Sequence, residues 1–161
     1  VGQDRWFFPA VEAVTRKGLF EGFTDGTFKP DQPISRAELA AVTARFLELP
    51  DRPPVKAFFK DTSGHWAFNY IAELYRNNVI TGYPDGTFDP NAPLQRVEAV
   101  TVINRMLNRG PLKEAPPSFP DVDAFHWAIG EVEESTRCHV FFRNSDGSET
   151  HIETDNGDLT F

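Results

Sequence analysis

Gly22-Phe23-Thr24-Asp25-Gly26-Thr27-Phe28-Lys29-Pro30 returns sixty residues later as Gly82-Tyr83-Pro84-Asp85-Gly86-Thr87-Phe88-Asp89-Pro90. The agreement continues downstream through Pro33/Pro93, Arg36/Arg96, Glu38/Glu98, Val42/Val102, Arg45/Arg105 and Leu47/Leu107, and upstream it pairs Trp6 with Trp66 and Phe8 with Phe68. A fixed period of this kind marks stacked supersecondary units, none of which buries its apolar face alone. A third copy opens with Phe119-Pro120-Asp121, echoing Phe59-Lys60-Asp61, and with His126-Trp127-Ala128, repeating His65-Trp66-Ala67. The Asp-Gly loop and its Arg-x-Glu do not return after it. Pro50-Asp51-Arg52-Pro53-Pro54 and Gly110-Pro111-Leu112-Lys113-Glu114-Ala115-Pro116-Pro117 read as extended linkers, because proline fixes φ and lacks a donor. The chain therefore divides into repeat 1 at 1–51, repeat 2 at 52–112 and a divergent partial repeat 3 at 113–161.

Each unit is expected to open with an amphipathic helix. Ile71, Leu74, Tyr75 and Val79 recur at three- and four-residue steps in the second copy, and Ala10, Val11, Val14 and Leu19 do so in the first. Gly18 and Asn77-Asn78 supply the stops. The Asp-Gly pair among aromatics predicts a tight turn with Asp25 and Asp85 as turn-formers, flanked by two very short strands. A second helix follows, where Ser35 stands three residues before Glu38 as a capping box and Leu39, Val42 and Phe46 form the inner face. Gln95 makes a weaker start in the second copy. In the tail, His139-Val140-Phe141-Phe142-Arg143, Asn144-Ser145-Asp146-Gly147 and Ser148-Glu149-Thr150-His151-Ile152-Glu153 predict strand, turn and strand. The fold class is thus mainly α with a C-terminal β-hairpin.

Composition narrows the functions. A net charge of −8 over 161 residues argues against nucleic acid, whose phosphates need a basic face. An anionic ligand must then meet a locally placed cation. No apolar run reaches the roughly 18 residues that cross a bilayer, so membrane insertion is not expected. The start, Val1-Gly2-Gln3-Asp4, shows no basic-then-apolar leader pattern, so the sequence is expected to begin either after processing or at a cut within a longer chain. Cys138 is the single cysteine, so no intrachain disulfide or CxxC metal site forms.

The order aromatic-Asp, His-Trp-Ala, helix, Gly-Tyr-Pro-Asp-Gly-Thr-Phe-x-Pro, then Arg-x-Glu resembles the S-layer homology (SLH) domain family. The resemblance covers about residues 4–49 and 59–109, plus the opening of a third unit from 119 to about 135. It implies tandem helix-loop-helix repeats in a three-lobed, pseudo-threefold arrangement. It also implies a non-catalytic, secreted module at the cell wall or surface layer, whose grooves bind secondary cell-wall polysaccharide, often pyruvylated, or modified peptidoglycan. The family's ligand-contacting arginine belongs to its Thr-Arg-Ala-Glu element, which reads here Ser35-Arg36-Ala37-Glu38 and Gln95-Arg96-Val97-Glu98. The third unit lacks a counterpart, so two grooves at most are expected, and the hairpin is expected to cover the surface a missing second helix leaves.

These residue types suit that chemistry. A guanidinium holds a ketal carboxylate by two parallel charge-assisted hydrogen bonds. Arg36 and Arg96, with Glu38 and Glu98 beside them, stand at helix starts, where unpaired N–H groups and the positive dipole end favour an anion. Trp6, Trp66 and Trp127 offer flat faces to sugar rings, and Gly22 and Gly82 let a sugar approach the backbone. The competing readings are structural. The arginines pair with Glu38, Glu98 or a neighbouring carboxylate, the tryptophans anchor the core, and the glycines serve the turns. Arg45, Arg105, Arg109 and Lys113 read as a solvated face, with a basic groove rim as the alternative. His65, His126, His139 and His151 fit no HExxH or Cys/His cluster, so neither a metal nor a cofactor is expected. Asn144-x-Asp146-Gly147 and Asp155-Asn156-Gly157-Asp158 lack EF-hand spacing and read as turns. Two other functions compete: a structural module that self-associates or docks a partner protein to build a surface lattice, and a glycoside hydrolase, for which no catalytic constellation stands out.

Overall fold

A computed structural model describes residues 1–54, 56–137 and 139–154. Cys138 and the Asp155–Asp158 turn lie outside these residues, as do the side chains of His139 and His151. Among the described residues there are five helices and one small sheet: α1 (Phe8–Arg16), α2 (Arg36–Phe46), α3 (Phe68–Arg76), α4 (Arg96–Met106), β1 (Leu112–Lys113), α5 (Ile129–Thr136), β2 (His139–Arg143) and β3 (Glu149–Thr154). The mainly helical chain with a terminal hairpin is therefore observed. It forms two compact units, 1–94 and 95–161.

In the first unit, α1 and α3 end as the sequence predicts. Gly18 takes φ 68° and Asn78 φ 58°, the left-handed conformation that closes a helix. Leu19 N–H reaches Val14 O at 3.0 Å, and Val79 N–H reaches Leu74 O at 2.9 Å, so each end is a full Schellman motif. α3 buries Ile71, Ala72, Glu73 and Leu74, whereas α1 buries none of its residues.

α2 corrects an expectation. Its buried residues are Arg36, Ala37, Ala40, Ala41, Thr43 and Ala44, while Leu39 and Val42 are half-buried and Phe46 is exposed. Four alanines at helical spacing let α2 lie closely against α3, and the bulkier residues are turned off that contact. The start of α2 is the predicted capping box: Glu38 N–H donates to Ser35 Oγ at 3.2 Å and Ser35 N–H to Glu38 Oε2 at 2.6 Å.

The short strands expected around each Asp-Gly turn do not form. Instead, Phe23 N–H donates to Thr27 O at 2.8 Å and Tyr83 N–H to Thr87 O at 2.8 Å, closing each loop on itself. Asp25 Oδ1 accepts from Thr27 N–H at 2.9 Å and from its hydroxyl at 2.6 Å; Asp85 does the same with Thr87 at 3.0 and 2.7 Å. The Thr27 and Thr87 hydroxyls, with the neighbouring N–H groups, hold both carboxyls below the usual range. Both aspartates are turn-formers, as read from the sequence. In the second copy, Asp61 further pins the loop by accepting from Phe88 N–H at 2.9 Å and Asp89 N–H at 2.7 Å.

In the second unit α4 packs on α5. β2 and β3 pair antiparallel with a bulge at Val140/Phe141, and β1 joins β3 in parallel, giving the order β1-β3-β2. The stretch read as an extended linker thus supplies a strand. Asp146 closes the hairpin turn by accepting from Ser148 N–H at 3.0 Å. α5 buries Glu131, Glu133 and Glu134, and β3 buries Glu149. Their cations are the residues expected on a solvated face and two others: Arg105 with Glu131 at 3.7 Å, Arg109 with Glu134, Arg137 with Glu133 at 2.7 Å and Arg143 with Glu149 at 2.7 Å. Lys113 pairs with Asp146 at 2.7 Å. The solvated-face reading is corrected: buried carboxylates are retained only where charge and hydrogen bonds compensate their desolvation.

Candidate functional site

A cavity of about 750 Å³ opens in the first unit, within the size range of small-ligand sites. One wall is the loop from Phe20 to Ile34. The other is the face of α2 that carries Glu38, Ala41, Val42 and Arg45, and Trp66 stands at the margin. This face borders the buried alanines of α2, sharing Ala41 with them, and Val42 on it is only half-buried.

Trp66 is positioned by the residue before it. His65 Nδ1 accepts the Ala67 N–H at 3.2 Å, its Nε2 lies 3.2 Å from Asn91 Oδ1, and its ring sits 5.5 Å from the indole. The imidazole thereby satisfies a backbone donor where Ala67, the N-cap of α3, makes no side-chain cap bond. His126 repeats the geometry in the second unit, accepting from Ala128 N–H at 3.2 Å beside Trp127. Sequence reading missed this role; the available signal was His-Trp-Ala before a helix in two copies. The indoles leave the core reading without support, since Trp6 is 89% exposed, Trp66 59% and Trp127 66%.

The arginines differ. Arg36 is buried, its guanidinium lies 4.6 Å from the ring centres of both Tyr83 and Phe88, and Nε donates to Phe88 O at 2.7 Å. It does not line the cavity. Nor does its helix start offer open donors: Arg36 N–H reaches Ala92 O at 3.0 Å and Ala37 N–H reaches Pro90 O at 2.9 Å. That corrects the expectation of unpaired N–H groups at α2, because the loop of the second repeat has used them. Arg96, at the start of α4, is exposed and has no side-chain hydrogen bond or ion pair among the described residues. Gln95 N–H donates to Glu98 Oε2 at 3.0 Å, so Glu98, like Glu38, serves its helix start.

Gly22 lines the cavity at φ 71°, and a Cβ there would meet Thr27 O at 2.8 Å. Gly82, at φ 69°, would drive a Cβ into the Phe59 ring and to 2.8 Å from Thr87 O. Both glycines have a sufficient structural reason.

Of the sequence-predicted residues, the fold brings Gly22, Glu38 and Trp66 to this cavity. Arg45, read as solvated face or groove rim, lines it too, and is held by Leu19 O at 3.2 Å and Glu21 at 2.9 Å. Among the described residues, no three His, Cys, Asp or Glu are grouped to hold a metal ion, and no helix is long and apolar enough to cross a membrane.

Comparison with known proteins gives the geometry a family. The S-layer homology domain model matches residues 2–40 and 58–100. The chain is 43% identical over 152 residues to a cellulosome-anchoring protein of Acetivibrio thermocellus, covering 92% of this chain and 34% of that protein. It is 42% identical to cell surface glycoprotein 1 of the same organism, covering 84% of this chain and 6% of that one. It is 29% identical to the S-layer protein sap of Bacillus anthracis over 79% of this chain and 16% of that protein. By name these relatives are an anchoring protein, a cell surface glycoprotein and an S-layer protein, and the chain spans about a third of the first and less of the others. The chain belongs to the S-layer homology domain family.

Proposed function

We propose that this chain is a non-catalytic module of a secreted protein that holds its protein at the bacterial cell wall by binding an anionic wall polysaccharide, pyruvylated in the reading we favour, or modified peptidoglycan. The observation that carries the proposal is the cavity of about 750 Å³ in the first unit, which joins an exposed indole, Trp66, to cationic and hydrogen-bonding side chains. Aromatic faces and a few convergent polar groups are what a sugar ring requires. The names of the relatives support an anchoring role.

In this reading Trp66 is the sugar platform, with Trp6 and Trp127 as its counterparts in the other copies, on the three-lobed body the family resemblance implies. Arg96, in the second unit, is a separate cation open to an acidic substituent, and Arg36 holds the Tyr83 loop in place. Glu38 and Gly22 shape the cavity walls, while Gly82 and Glu98 keep to the turn and the helix start of the second copy.

Sedimentation with purified cell walls tests it. The wild-type chain is expected to pellet with walls, and Trp66→Ala combined with Arg96→Ala to lose most of that binding while keeping its helical circular dichroism. Binding unchanged in that variant would count against the site.

A second reading, self-association into a surface lattice, draws on Phe125 and Trp127, 96% and 66% exposed in one short stretch. It predicts assembly in the absence of walls, measured by sedimentation velocity.

A further inference from the structure

Two cations line the cavity, Lys29 and Arg45, and they are held differently. Lys29 sits 3.9 Å from the centre of the Phe23 ring and 3.6 Å from Asp25, and its residue is in the left-handed conformation at φ 51°. Arg45 projects from α2, a regular helix, and is fixed from behind. Its Nη1 donates to Leu19 O at 3.2 Å, and its guanidinium lies 5.5 Å from the Tyr70 ring centre. The carboxylate facing it is Glu21, at 2.9 Å from Nη2. Glu21 also lines the cavity, and its side chain is 69% exposed against 22% for Arg45.

This asymmetry decides what Arg45 does. A side chain held by a carbonyl and an aromatic ring is preorganised, whereas an exposed carboxylate partner is bound weakly and exchanges with solvent. The other cavity carboxylate, Glu38, is oriented toward its helix start, where its Oε2 accepts from the Ser35 N–H at 2.6 Å.

We infer that Arg45 is the cation that receives a sugar-borne carboxylate in this cavity, and that Glu21 is its built-in competitor, leaving when an acidic glycan enters. The inference rests on the anchoring reading and deepens it by moving the anion contact within the first unit from Arg36 to Arg45. A guanidinium offers a carboxylate two parallel N–H donors, and Trp66 stands on the same cavity to stack the sugar that bears it. Glu21 gives the pocket its selectivity. A neutral glycan has nothing with which to replace the carboxylate on Arg45, so it must bind around a closed ion pair, while an acidic glycan exchanges one carboxylate for another.

Isothermal titration with pyruvylated wall polysaccharide, and with the same material after mild-acid removal of its pyruvate, tests the assignment on the intact chain. Wild type is expected to prefer the pyruvylated form by tenfold or more. Arg45→Gln should erase that preference without weakening binding of the depyruvylated form, and Arg45→Lys should keep part of it. Glu21→Gln should strengthen binding of the pyruvylated form several-fold and leave the depyruvylated form unchanged, an outcome a purely structural Arg45–Glu21 pair does not produce. If Arg45→Gln fails to fold, the Arg45→Lys and Glu21→Gln arms decide. Preference retained in Arg45→Gln, or affinity unchanged in Glu21→Gln, overturns the assignment while leaving anchoring intact. Wild-type chain that binds neither material removes both readings together.

Discussion

At Gly82 the backbone leaves no room for a side chain. φ is 69°, and an added methyl would run into the Phe59 ring and stand 2.8 Å from Thr87 O. Gly26, in the first Asp-Gly turn, has φ 78° but nothing within 4 Å of an added methyl. The two positions therefore separate backbone strain from steric collision. A non-glycine residue in the left-handed region costs about 1 to 2 kcal/mol, and forcing an extra methyl into packed surroundings adds about 1 to 3 kcal/mol. Gly26→Ala should lower the unfolding free energy by about 1 kcal/mol and Gly82→Ala by about 3 kcal/mol. Urea denaturation at constant m-value measures both; equal losses would show that the Phe59 ring moves aside freely. The same comparison explains a missed reading. Glycine at 82 was legible as special, but whether the space it leaves belongs to a sugar or to Phe59 depends on a ring 23 positions earlier in the chain.

On α5, an eight-residue helix, three glutamates are buried, and two of them respond to acid in opposite senses. Burial pushes the Glu133 carboxyl up, but the Ser118 hydroxyl and N–H, each at 2.7 Å, and the Arg137 guanidinium outweigh it, so its pKa lies below 4.5. For Glu131, burial prevails over the Asn104 side-chain amide and Arg105, and its pKa lies above 4.5. A depressed folded pKa means that the folded state releases the proton more readily. Glu133 thus contributes stability that is complete above the unfolded value near 4.5 and is lost as pH falls through the lower folded value. Glu131 has the reverse sign: stability declines as pH rises from 4.5 through its raised folded value. Glu133→Gln should therefore cost about 2 kcal/mol at pH 7, a typical cost for a charged hydrogen-bonding group, and the deficit should shrink below pH 4.5. Glu131→Gln should improve relative to wild type as pH rises above 4.5. Urea midpoints from pH 3 to pH 7 provide the check, and deficits independent of pH in both variants would refute the assignment of these carboxyls.

Across the whole molecule, the repeat made local structure legible and left partnership obscure. Period, Ser35-x-x-Glu38, Gly18, Asn78 and the Asp-Gly turns are signals carried by neighbours in sequence, and each corresponds to an observed helix, cap or loop. Which helix meets which is carried by no such signal. α2 of the first repeat packs on α3 of the second, and α4 of the second on α5 of the third, so each helix pair crosses a repeat boundary. Alanine is a weak hydrophobic signal, and for that reason Leu39, Val42 and Phe46 outvoted the alanine face of α2. Charge was equally misleading, because composition reports that Arg36 is cationic and cannot report that Tyr83 and Phe88 enclose it. Net charge, however, acts at a range where such detail is averaged out. A chain at −8 approaching an anionic polymer is repelled over the Debye length, about 30 Å at 0.01 M salt and about 10 Å at 0.1 M. Contact between a guanidinium and a carboxylate forms only within a few ångströms, where salt screens far less. Added salt should therefore act on encounter before it acts on the bound state. Surface-plasmon kinetics with immobilised pyruvylated polysaccharide should show the association rate rising between 0.01 and 0.1 M salt, opposite to the fall that attracting partners show. The dissociation rate should rise more modestly over the same interval, as the ion contact at the site is partly screened. An association rate that falls with salt would mean that the cations beside the cavity govern the approach itself, and that the acidic remainder of the chain has no say in how the glycan is met.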